Sequence, residues 1–424
     1  MKTEDIELLA RVPRSLRAIN GIPEPDQAAA RERATTLASD ALADLLLPNG
    51  VRTSPLGPGW SRDIDLHLLA WPEPARLEAL GWVPLGPLLH RLGIPSRGSW
   101  AVMEGERVLA GLDLHLDPPP DPLTSLLNRC RRRGEVRVRE VLEARVLLRA
   151  GYTLPVDDPT VHLVARAEAG LGGQALAQWR DGPALGAPAP LPGRRIRRLW
   201  TNRRLALRPR LVVAVSGVDG SGKSTLTRLV AQNLEQAGVP VSRVWTRPGM
   251  GLGWLGGLAR AAKKLLGQDS AHGVMRVVTG DTPARDLPSR RGILGWTWVT
   301  LVTLSFLVDA RQQHLRGRGV VLYDRHLLDA LVMIDFVYEG VDLRMHRALV
   351  RRGLPKPLLS VYLDVPAEVA LSRKPEDAFG EYAIRRQLEG YEARRGEVED
   401  LRRLDGERPA DELAGVVTRW LAKL

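Results

Sequence analysis

The chain contains the run Ser216-Gly-Val-Asp-Gly-Ser-Gly-Lys-Ser-Thr225, whose glycine and lysine spacing is the strongest local signal in its 424 residues. It fits the pattern G-x-x-x-x-G-K-[ST], in which glycines let main-chain N–H groups turn inward around a chain of phosphates. The lysine supplies a compact charge for those phosphates, and the following hydroxyl ligates Mg²⁺. The run therefore predicts a site for ATP and Mg²⁺. The residues predicted to bind the nucleotide are Gly217, Asp219, Gly220, Ser221, Gly222, Lys223, Ser224 and Thr225.

The flanking sequence supports a phosphate site. Residues 210–216 have the pattern of a buried strand, and residues 225–234 that of an amphipathic helix. A loop between a strand and a helix N-terminus is a setting in which the helix dipole and free N–H groups favour phosphate. Further strands are predicted at 239–246, 319–323 and 358–365, and a long apolar helix near 293–316. This alternation predicts an α/β fold with the parallel sheet of a P-loop NTPase and helices on both faces.

Composition limits the class of protein. With 44% apolar and 26% charged residues the chain is typical of a globular protein rather than a disordered one. The single cysteine, Cys130, excludes an internal disulfide framework and favours a cytoplasmic location. The acidic start of the chain argues against a secretory leader. The apolar stretch 293–308 is shorter than the roughly 20 residues that span a membrane, so we expect a buried helix and no membrane span.

A Gly/Pro/Ala-rich stretch and an arginine run divide the chain. We predict a domain at 1–180, a linker at 181–208 and a second domain at 209–424. Much of the net charge of +12 lies in the arginine run, which holds Arg194, Arg195, Arg197, Arg198, Arg203, Arg204, Arg208 and Arg210. The run could contact nucleic acid, anionic lipid or a phosphorylated substrate, but Trp200 is its only aromatic residue. We favour a solvated connector, which argues against a nucleic-acid partner.

The C-terminal half resembles the thymidylate kinase branch of the P-loop nucleoside monophosphate kinases. Four segments in the family's order carry the resemblance, namely the loop at 217–225, Thr246-Arg-Pro-Gly, Asp324-Arg-His and Leu363-Asp-Val-Pro-Ala-Glu-Val-Ala-Leu371. The resemblance implies an enzyme that moves a phosphoryl group from ATP to a small phosphorylated acceptor, with a homodimer as a further hypothesis.

The resemblance also implies roles for residues that contact the acceptor. Asp219 would receive the acceptor's sugar hydroxyl, and Arg247 and Arg325 would hold its phosphate, because a guanidinium fork suits a phosphate dianion. Arg311 matches the family's base-reading arginine. The residue one turn earlier is Leu307, where the family has an aromatic residue that stacks on the base.

The implied catalytic set is small because phosphoryl transfer depends mainly on positioning and charge neutralisation. It consists of Lys223, Asp324, Arg325 and Arg373. Asp324 would help Ser224 to hold Mg²⁺, and Arg373 with Lys374 would belong to a mobile lid. A surface ion pair at 324–325 and an ordinary solvated loop at 373–374 remain the simpler alternatives.

The departures from the family leave the acceptor open. Phe306 is out of phase with the stacking position by about 100° on a helix. A nucleoside monophosphate is the first hypothesis for the acceptor, and a phosphosugar or natural-product intermediate is the second. A regulatory module that binds ATP without turnover is the third, but the combined match of the loop and the Asp-Arg pair argues against it.

Paired aspartates mark the N-terminal half. Asp63 and Asp65 lie two residues apart on a predicted strand, so both carboxylates point to one face, and a later strand supplies Asp113. The segment 40–150 resembles the nucleotidyltransferase superfamily related to DNA polymerase β, in a smaller α+β domain. Three alternatives stay open: an active nucleotidyltransferase that binds metal through these aspartates, a degenerate copy of that fold, or unrelated strand aspartates. His67 and His115 share the register, and we interpret them as structural.

Overall fold

The computed structural model describes residues 12, 17, 22–153 (except 62, 95, 97, 120 and 134), 189–190, 209–246, 292–338, 341–373 and 381–424. The chain forms two compact units. The N-terminal unit comprises Met1–His90, Pro95–Leu207 and Gln236–Gly238, and the C-terminal unit comprises Arg91–Ile94, Arg208–Glu235 and Val239–Leu424.

The N-terminal unit is built from short helices around a mixed sheet. Its helices are α1 (Pro25–Ala41), α2 (Pro74–Ala79), α3 (Gly86–Arg91), α4 (Pro122–Arg133) and α5 (Val138–Arg149). Its strands are β1 (Leu46–Arg52), β2 (Asp63–Leu68), β3 (Val83–Pro84), β4 (Ser99–Glu104), β5 (Arg107–His115), β6 (Glu135–Val136) and β7 (Ala189–Pro190). Proline suits the first position of α1, because the main-chain N–H that it lacks would have no partner within the helix.

The main sheet of this unit has the strand order β1-β2-β5-β4-β3. Strands β2 and β5 run parallel, and the other neighbours are antiparallel. Apolar and polar residues alternate along β2 and along the second half of β5, so Ile64, Leu66 and Leu112 are buried in the core. The polar positions share the opposite face, with Asp65 paired to Asp113 in register. The expected α+β architecture is therefore present, and it places aspartates side by side.

The C-terminal unit alternates strands and helices. Its strands are β8 (Leu211–Ser216), β9 (Val241–Trp245), β10 (Val320–Asp324), β11 (Leu359–Asp364) and β12 (Leu401–Asp405). Its helices are α6 (Lys223–Gln236), α7 (Gly292–Arg316), α8 (Leu327–Val337), α9 (Arg344–Gly353), α10 (Ala367–Arg373), α11 (Glu381–Arg394) and α12 (Ala410–Lys423).

All five strands of this unit form one parallel sheet in the order β12-β11-β8-β10-β9. Every residue of β10, and every residue of β8 after Leu211, is buried, so both faces of the sheet centre are covered. The predicted α/β fold is confirmed. Strand β8 lies between β10 and β11, and the chain leaves it at a switch in strand order, where α/β sheets bind ligands.

The apolar stretch and the arginine run that the sequence singled out can be compared with the structure. In the part of the chain that the structure covers, no helix combines the length and the apolar character that crossing a membrane requires. Most of the arginine run lies outside the described residues. Arg210 is described, and its guanidinium donates to the carbonyl oxygens of Gly317 and Leu315 at 2.9 and 3.1 Å.

Candidate phosphoryl-transfer site

The loop between β8 and α6 requires glycine at two positions. Gly217 has a φ of +151°, and a Cβ built there would lie 2.7 Å from the carbonyl oxygen of Leu363. Gly220 has a φ of +84°, and a Cβ there would overlap the Ala370 carbonyl. Both conformations are costly for any residue with a side chain. The loop can therefore turn tightly against the end of β11 and the middle of α10, as a phosphate cradle needs.

Lys223 starts α6 with only 4% of its surface exposed. Its Nζ donates to the Val218 carbonyl at 2.6 Å and lies 3.4 Å from Ser221 Oγ. Burial lowers the pKa of this lysine to about 8, and the Arg325 charge acts in the same direction. The ammonium thus rests on acceptors inside the loop, and a bound phosphate would replace them with a stronger anionic partner.

Ser224 and Asp324 meet at the end of two adjacent parallel strands. The Ser224 hydroxyl donates to Asp324 Oδ2 at 2.5 Å. Asp324 ends β10 directly beside Val215 of β8, so the sheet register places its carboxylate next to the helix that follows the loop. Hydroxyl and carboxylate oxygens are ligands that Mg²⁺ prefers. The two predicted metal ligands are therefore in contact, and their chemistry fits that ion.

Arg325 and Asp219 form an ion pair in which the guanidinium donates to Asp219 Oδ1. Arg325 is mostly buried, and its φ of +76° lies in the left-handed region that favours glycine. Burial is the largest single influence and lowers the pKa of this arginine, but the charge of Asp219 together with those of neighbouring acidic groups outweighs it, so the net direction is upward. The family resemblance assigned Asp219 to the acceptor's sugar hydroxyl and Arg325 to its phosphate. In this structure the two side chains bond to each other.

Among the described residues, two that were assigned from the family resemblance make no described contact with the loop. Arg247 and Lys374 lie outside the described residues. Arg311 projects from α7 as an exposed side chain, and no described contact joins it to the loop. Arg373 ends α10 and donates to the Gly406 carbonyl at 2.9 Å, so it is anchored to the segment after β12. Its catalytic role as part of a lid stays a prediction.

At the position where the resembled family has a residue that stacks on a base, this chain has Leu307, which follows the buried Phe306. Phe306 is 6% exposed and belongs to the core between α7, α8 and α9. Leu307 packs against α9, where a Cβ built at Gly353 would lie 2.8 Å from both of its methyl carbons. These two side chains of α7 therefore pack within the protein.

Sequence reasoning missed two buried residues, Asp329 and Tyr391, that touch the start of the loop. Asp329 Oδ1 accepts from the Gly217 N–H at 3.3 Å and from the Tyr391 hydroxyl at 2.8 Å. One signal was available, because Asp329 stands at the third helical position after His326, where an acidic residue caps a helix. Nothing local points to Tyr391.

The predicted metal aspartates of the N-terminal unit are engaged with protein groups. Asp65 Oδ1 lies 3.2 Å from His115 Nε2, and this contact raises the pKa of the imidazole. Asp113 accepts from the Ser99 hydroxyl, while burial raises the pKa of its carboxyl group. The two polar positions face each other, but each carboxylate has a side-chain partner.

The two histidines of this sheet face are also satisfied. The His67 and His115 rings stack with centroids 4.9 Å apart, and His67 Nδ1 lies 2.5 Å from the Asp117 carbonyl oxygen. Among the residues that the structure describes, no group of three or more His, Cys, Asp or Glu side chains is arranged to hold a metal ion. The metal predicted at Asp63, Asp65 and Asp113 is thus not supported by the geometry and stays a prediction.

Comparison with known proteins supports the C-terminal resemblance. No family model matches the chain. It is 26% identical over 172 residues to probable thymidylate kinase 1 of Saccharolobus solfataricus, covering 40% of this chain and 72% of that protein. It is 24% identical over 163 residues to a probable thymidylate kinase of Archaeoglobus fulgidus, covering 38% and 68%.

The C-terminal unit is a P-loop kinase domain. The prediction of a kinase-type enzyme is confirmed, and we call this part of the chain the kinase unit. A solved structure, deoxyadenosine kinase of M. mycoides with dCMP and dCDP bound, covers 50% of this chain and 99% of its own at 16% identity. Its TM-score of 0.31 is too low to bear on function. No comparison supports the nucleotidyltransferase resemblance of the N-terminal unit.

The kinase unit has an open cavity of about 980 Å³ at the carboxyl ends of β11 and β12. Tyr362, Val365 and Leu388 give it apolar surface, and most of its charged lining comes from α11 and β12. Gly406 follows the lining residue Asp405, and a Cβ built at Gly406 would lie 3.3 Å from the Ser221 carbonyl oxygen. Gly406 therefore lies between two lining residues of this cavity and the phosphate loop.

Proposed function

We propose that the kinase unit transfers the γ-phosphoryl group of ATP to a small phosphorylated acceptor in a Mg²⁺-dependent reaction, and that the acceptor is a nucleoside monophosphate. One observation carries this proposal. The Ser224 hydroxyl and the Asp324 carboxylate meet 2.5 Å apart, immediately beside Lys223. A regulatory nucleotide site needs the loop, but it has no need of a second carboxylate from another strand at the metal position.

The proposed reaction exchanges one phosphorus–oxygen bond for another. The bond from the γ-phosphorus to the β,γ-bridging oxygen breaks and leaves ADP, while an oxygen of the acceptor phosphate forms the new bond. When bound by Ser224 and Asp324, Mg²⁺ would neutralise charge on the β- and γ-phosphates. Lys223 donates to the same oxygens, and loop N–H groups hold the phosphates in line with the acceptor.

Arg325 is the residue best suited to the acceptor phosphate. Its guanidinium already lies at the loop, held by Asp219, and 12% of its side chain is exposed. A phosphate dianion competes well for a guanidinium because it accepts two parallel hydrogen bonds and carries twice the charge of a carboxylate. We infer that acceptor binding replaces the Asp219–Arg325 bond, which frees Asp219 to accept from a sugar hydroxyl. The cavity beside Gly406 would provide space for the nucleoside part of ATP.

The test is release of ADP by the full chain with ATP and Mg²⁺, measured with thymidylate and the other nucleoside monophosphates as acceptors. The reaction is identified by a doubly phosphorylated product in equal amount to ADP. Lys223→Ala serves as the inactive control. ATP binding without acceptor-dependent ADP release from any member of a broad panel would refute the proposal and leave the regulatory alternative.

A non-nucleotide acceptor is the second candidate, and one observation favours it. Phe306 and Leu307 both pack within the protein, so neither offers a ring to a planar base. A phosphosugar needs no stacking partner. The acceptor panel should therefore include hexose and pentose phosphates, and a kcat/KM that is highest for one of these would select this candidate.

The finer assignments for the rest of the chain stay proposals. For the N-terminal unit we favour a degenerate nucleotidyltransferase-like fold, because Asp65 and Asp113 occupy adjacent parallel strands but bond to His115 and Ser99. Cytoplasmic location and a homodimer stay predictions. Measurement of inorganic pyrophosphate release from nucleoside triphosphates by the full chain tests for nucleotidyl transfer directly.

A further inference from the structure

A buried polar cluster connects the phosphate loop to two helices of the kinase unit. We call it the Asp329 cluster, and it consists of Gly217, Asp329, Tyr391 and the main-chain N–H of His326. Asp329 of α8 is fully buried, and Tyr391 of α11 is 1% exposed. Neither side chain can therefore touch a ligand directly, and any effect on the reaction must pass through the groups they hold.

Asp329 uses its two carboxylate oxygens on two different parts of the site. Its Oδ1 accepts from the Gly217 N–H at 3.3 Å, and its Oδ2 accepts from the His326 N–H at 3.1 Å. Gly217 is the first glycine of the phosphate loop, and His326 follows Arg325 directly. One rigid carboxylate thus sets the distance between the loop and the turn that carries the arginine.

Tyr391 completes the attachment of Gly217. Its hydroxyl oxygen lies 2.8 Å from Asp329 Oδ1 and 2.9 Å from the Gly217 carbonyl oxygen. A phenol has one proton, so it donates to only one of these acceptors at a time. The ring is fixed independently, because it stacks on Tyr362 with centroids 5.3 Å apart. Both polar groups of the Gly217 main chain therefore face fixed partners from outside the loop.

The turn at Arg325 needs such a partner. A left-handed main chain strains a residue that has a side chain, and such strain persists only where neighbouring contacts hold it. Asp329 holds the N–H on the C-terminal side of this turn, and the Thr246 hydroxyl donates to the Arg325 carbonyl at 2.6 Å. Without Asp329 the turn can relax, and the guanidinium would leave its place beside the loop.

Electrostatics adds a second connection between Asp329 and the catalytic cations. Its carboxylate favours the charged forms of both Lys223 and Arg325. Those cations in turn offset the free-energy cost of burying the Asp329 carboxylate. The cluster and the two cations therefore stabilise each other.

We propose that Asp329 and Tyr391 are positioning residues, which hold the phosphate loop and the Arg325 turn in the relation that phosphoryl transfer requires. This inference rests on the proposed function for its kinetic consequence, although not for its structural one. Because positioning acts on the transition state more than on the bound nucleotide, loss of the cluster should lower kcat and change KM for ATP little.

The experiment compares Tyr391→Phe with Tyr323→Phe in the full chain. Both tyrosines are buried and both changes remove one hydroxyl, but the Tyr323 hydroxyl donates to the Ala310 carbonyl in α7, away from the loop. We expect Tyr391→Phe to lower kcat about tenfold with KM for ATP within about twofold, and Tyr323→Phe to change neither. Asp329→Asn, which keeps the shape and loses the charge, should lower kcat further.

A second measurement does not depend on turnover. Amide hydrogen exchange at Gly217 and His326 should become faster in Asp329→Asn, because the carboxylate that accepts from both N–H groups is lost. Exchange at Gly217 should also become faster in Tyr391→Phe, because Asp329 Oδ1 and the Gly217 carbonyl then lose the hydroxyl that fixes them. Exchange in Tyr323→Phe should match the parent. Unchanged Gly217 exchange in Tyr391→Phe would overturn the proposal, as would equal losses of kcat in the two tyrosine variants. If the parent chain turns over no acceptor, the proposed function fails, and the exchange comparison alone still decides whether the cluster holds the loop.

Discussion

Replacement of Lys223 by alanine should remove nearly all phosphoryl transfer without lowering the folding stability of the kinase unit. In the resting loop the ammonium donates to a carbonyl at 2.6 Å and lies 3.4 Å from a hydroxyl, and phosphate oxygens would take over both positions. Two charge-assisted hydrogen bonds of about 2 kcal/mol each amount to about 4 kcal/mol of transition-state stabilisation. That energy corresponds to a loss of about 10³ in rate.

Lys223→Ala should not lower the free energy of unfolding, in contrast to its effect on the reaction rate. Burial lowers the pKa of Lys223 from 10.5 to about 8, so the charge costs the folded state about 3 kcal/mol at about 1.4 kcal/mol per pKa unit. Because the folded pKa lies below the unfolded one, this cost is present in full below pH 8 and disappears as pH rises towards 10.5. Losing the bond to the Val218 carbonyl costs about 1–2 kcal/mol, so the net change at pH 7 is near zero or stabilising.

The assay pairs coupled ADP release with thermal denaturation at pH 7. Lys223→Met separates charge from volume, because it keeps a stem of similar length. Lys356→Ala is the matched control, since Lys356 is 86% exposed and forms only a long ion pair with Glu399. Full turnover in Lys223→Ala would refute the assignment of the chemistry to this loop. A large fall in Tm for Lys223→Met would show instead that the lysine is a structural anchor.

Three further predictions test the charges of the two units. In the free enzyme kcat/KM should fall as pH rises above about 8, because the ammonium of Lys223 is lost there; a flat profile to pH 10 would contradict that. Asp324→Asn should raise the Mg²⁺ concentration needed for half-maximal turnover about tenfold or more. Arg325→Ala should chiefly raise KM for the acceptor. If either variant changed only the affinity for ATP, the role proposed for that residue would be wrong. In the full chain, the double change Asp63→Asn and Asp65→Asn should leave ADP release intact. It should also remove any rise in Tm that Mn²⁺ produces in thermal denaturation. If Mn²⁺ still raised the Tm of the double variant, these carboxylates would be excluded as ligands.

Most of the kinase unit could be predicted from local sequence patterns. The spacing of glycines, lysine and serine at 217–224 is local, and each residue in it meets a requirement of main-chain geometry or phosphate chemistry. The apolar runs around it predicted a parallel sheet, because strands buried on both faces must be apolar throughout. The end of β10 followed from the same pattern, which placed Asp324 at the carboxyl ends of the strands, where the loop also lies.

The partners of the charged groups depend on long-range packing. Asp219 bonds to Arg325 from 106 residues away, and Tyr391 reaches the Gly217 carbonyl from 174 residues away. In the N-terminal unit, the register of β2 and β5 places Asp65 beside His115, a contact that spacing along the chain did not specify. Spacing along the chain fixes which face of a strand or helix a side chain occupies, but partners are chosen by how distant elements pack. Buried polar groups must find partners wherever packing offers them, and only the folded chain specifies which those are.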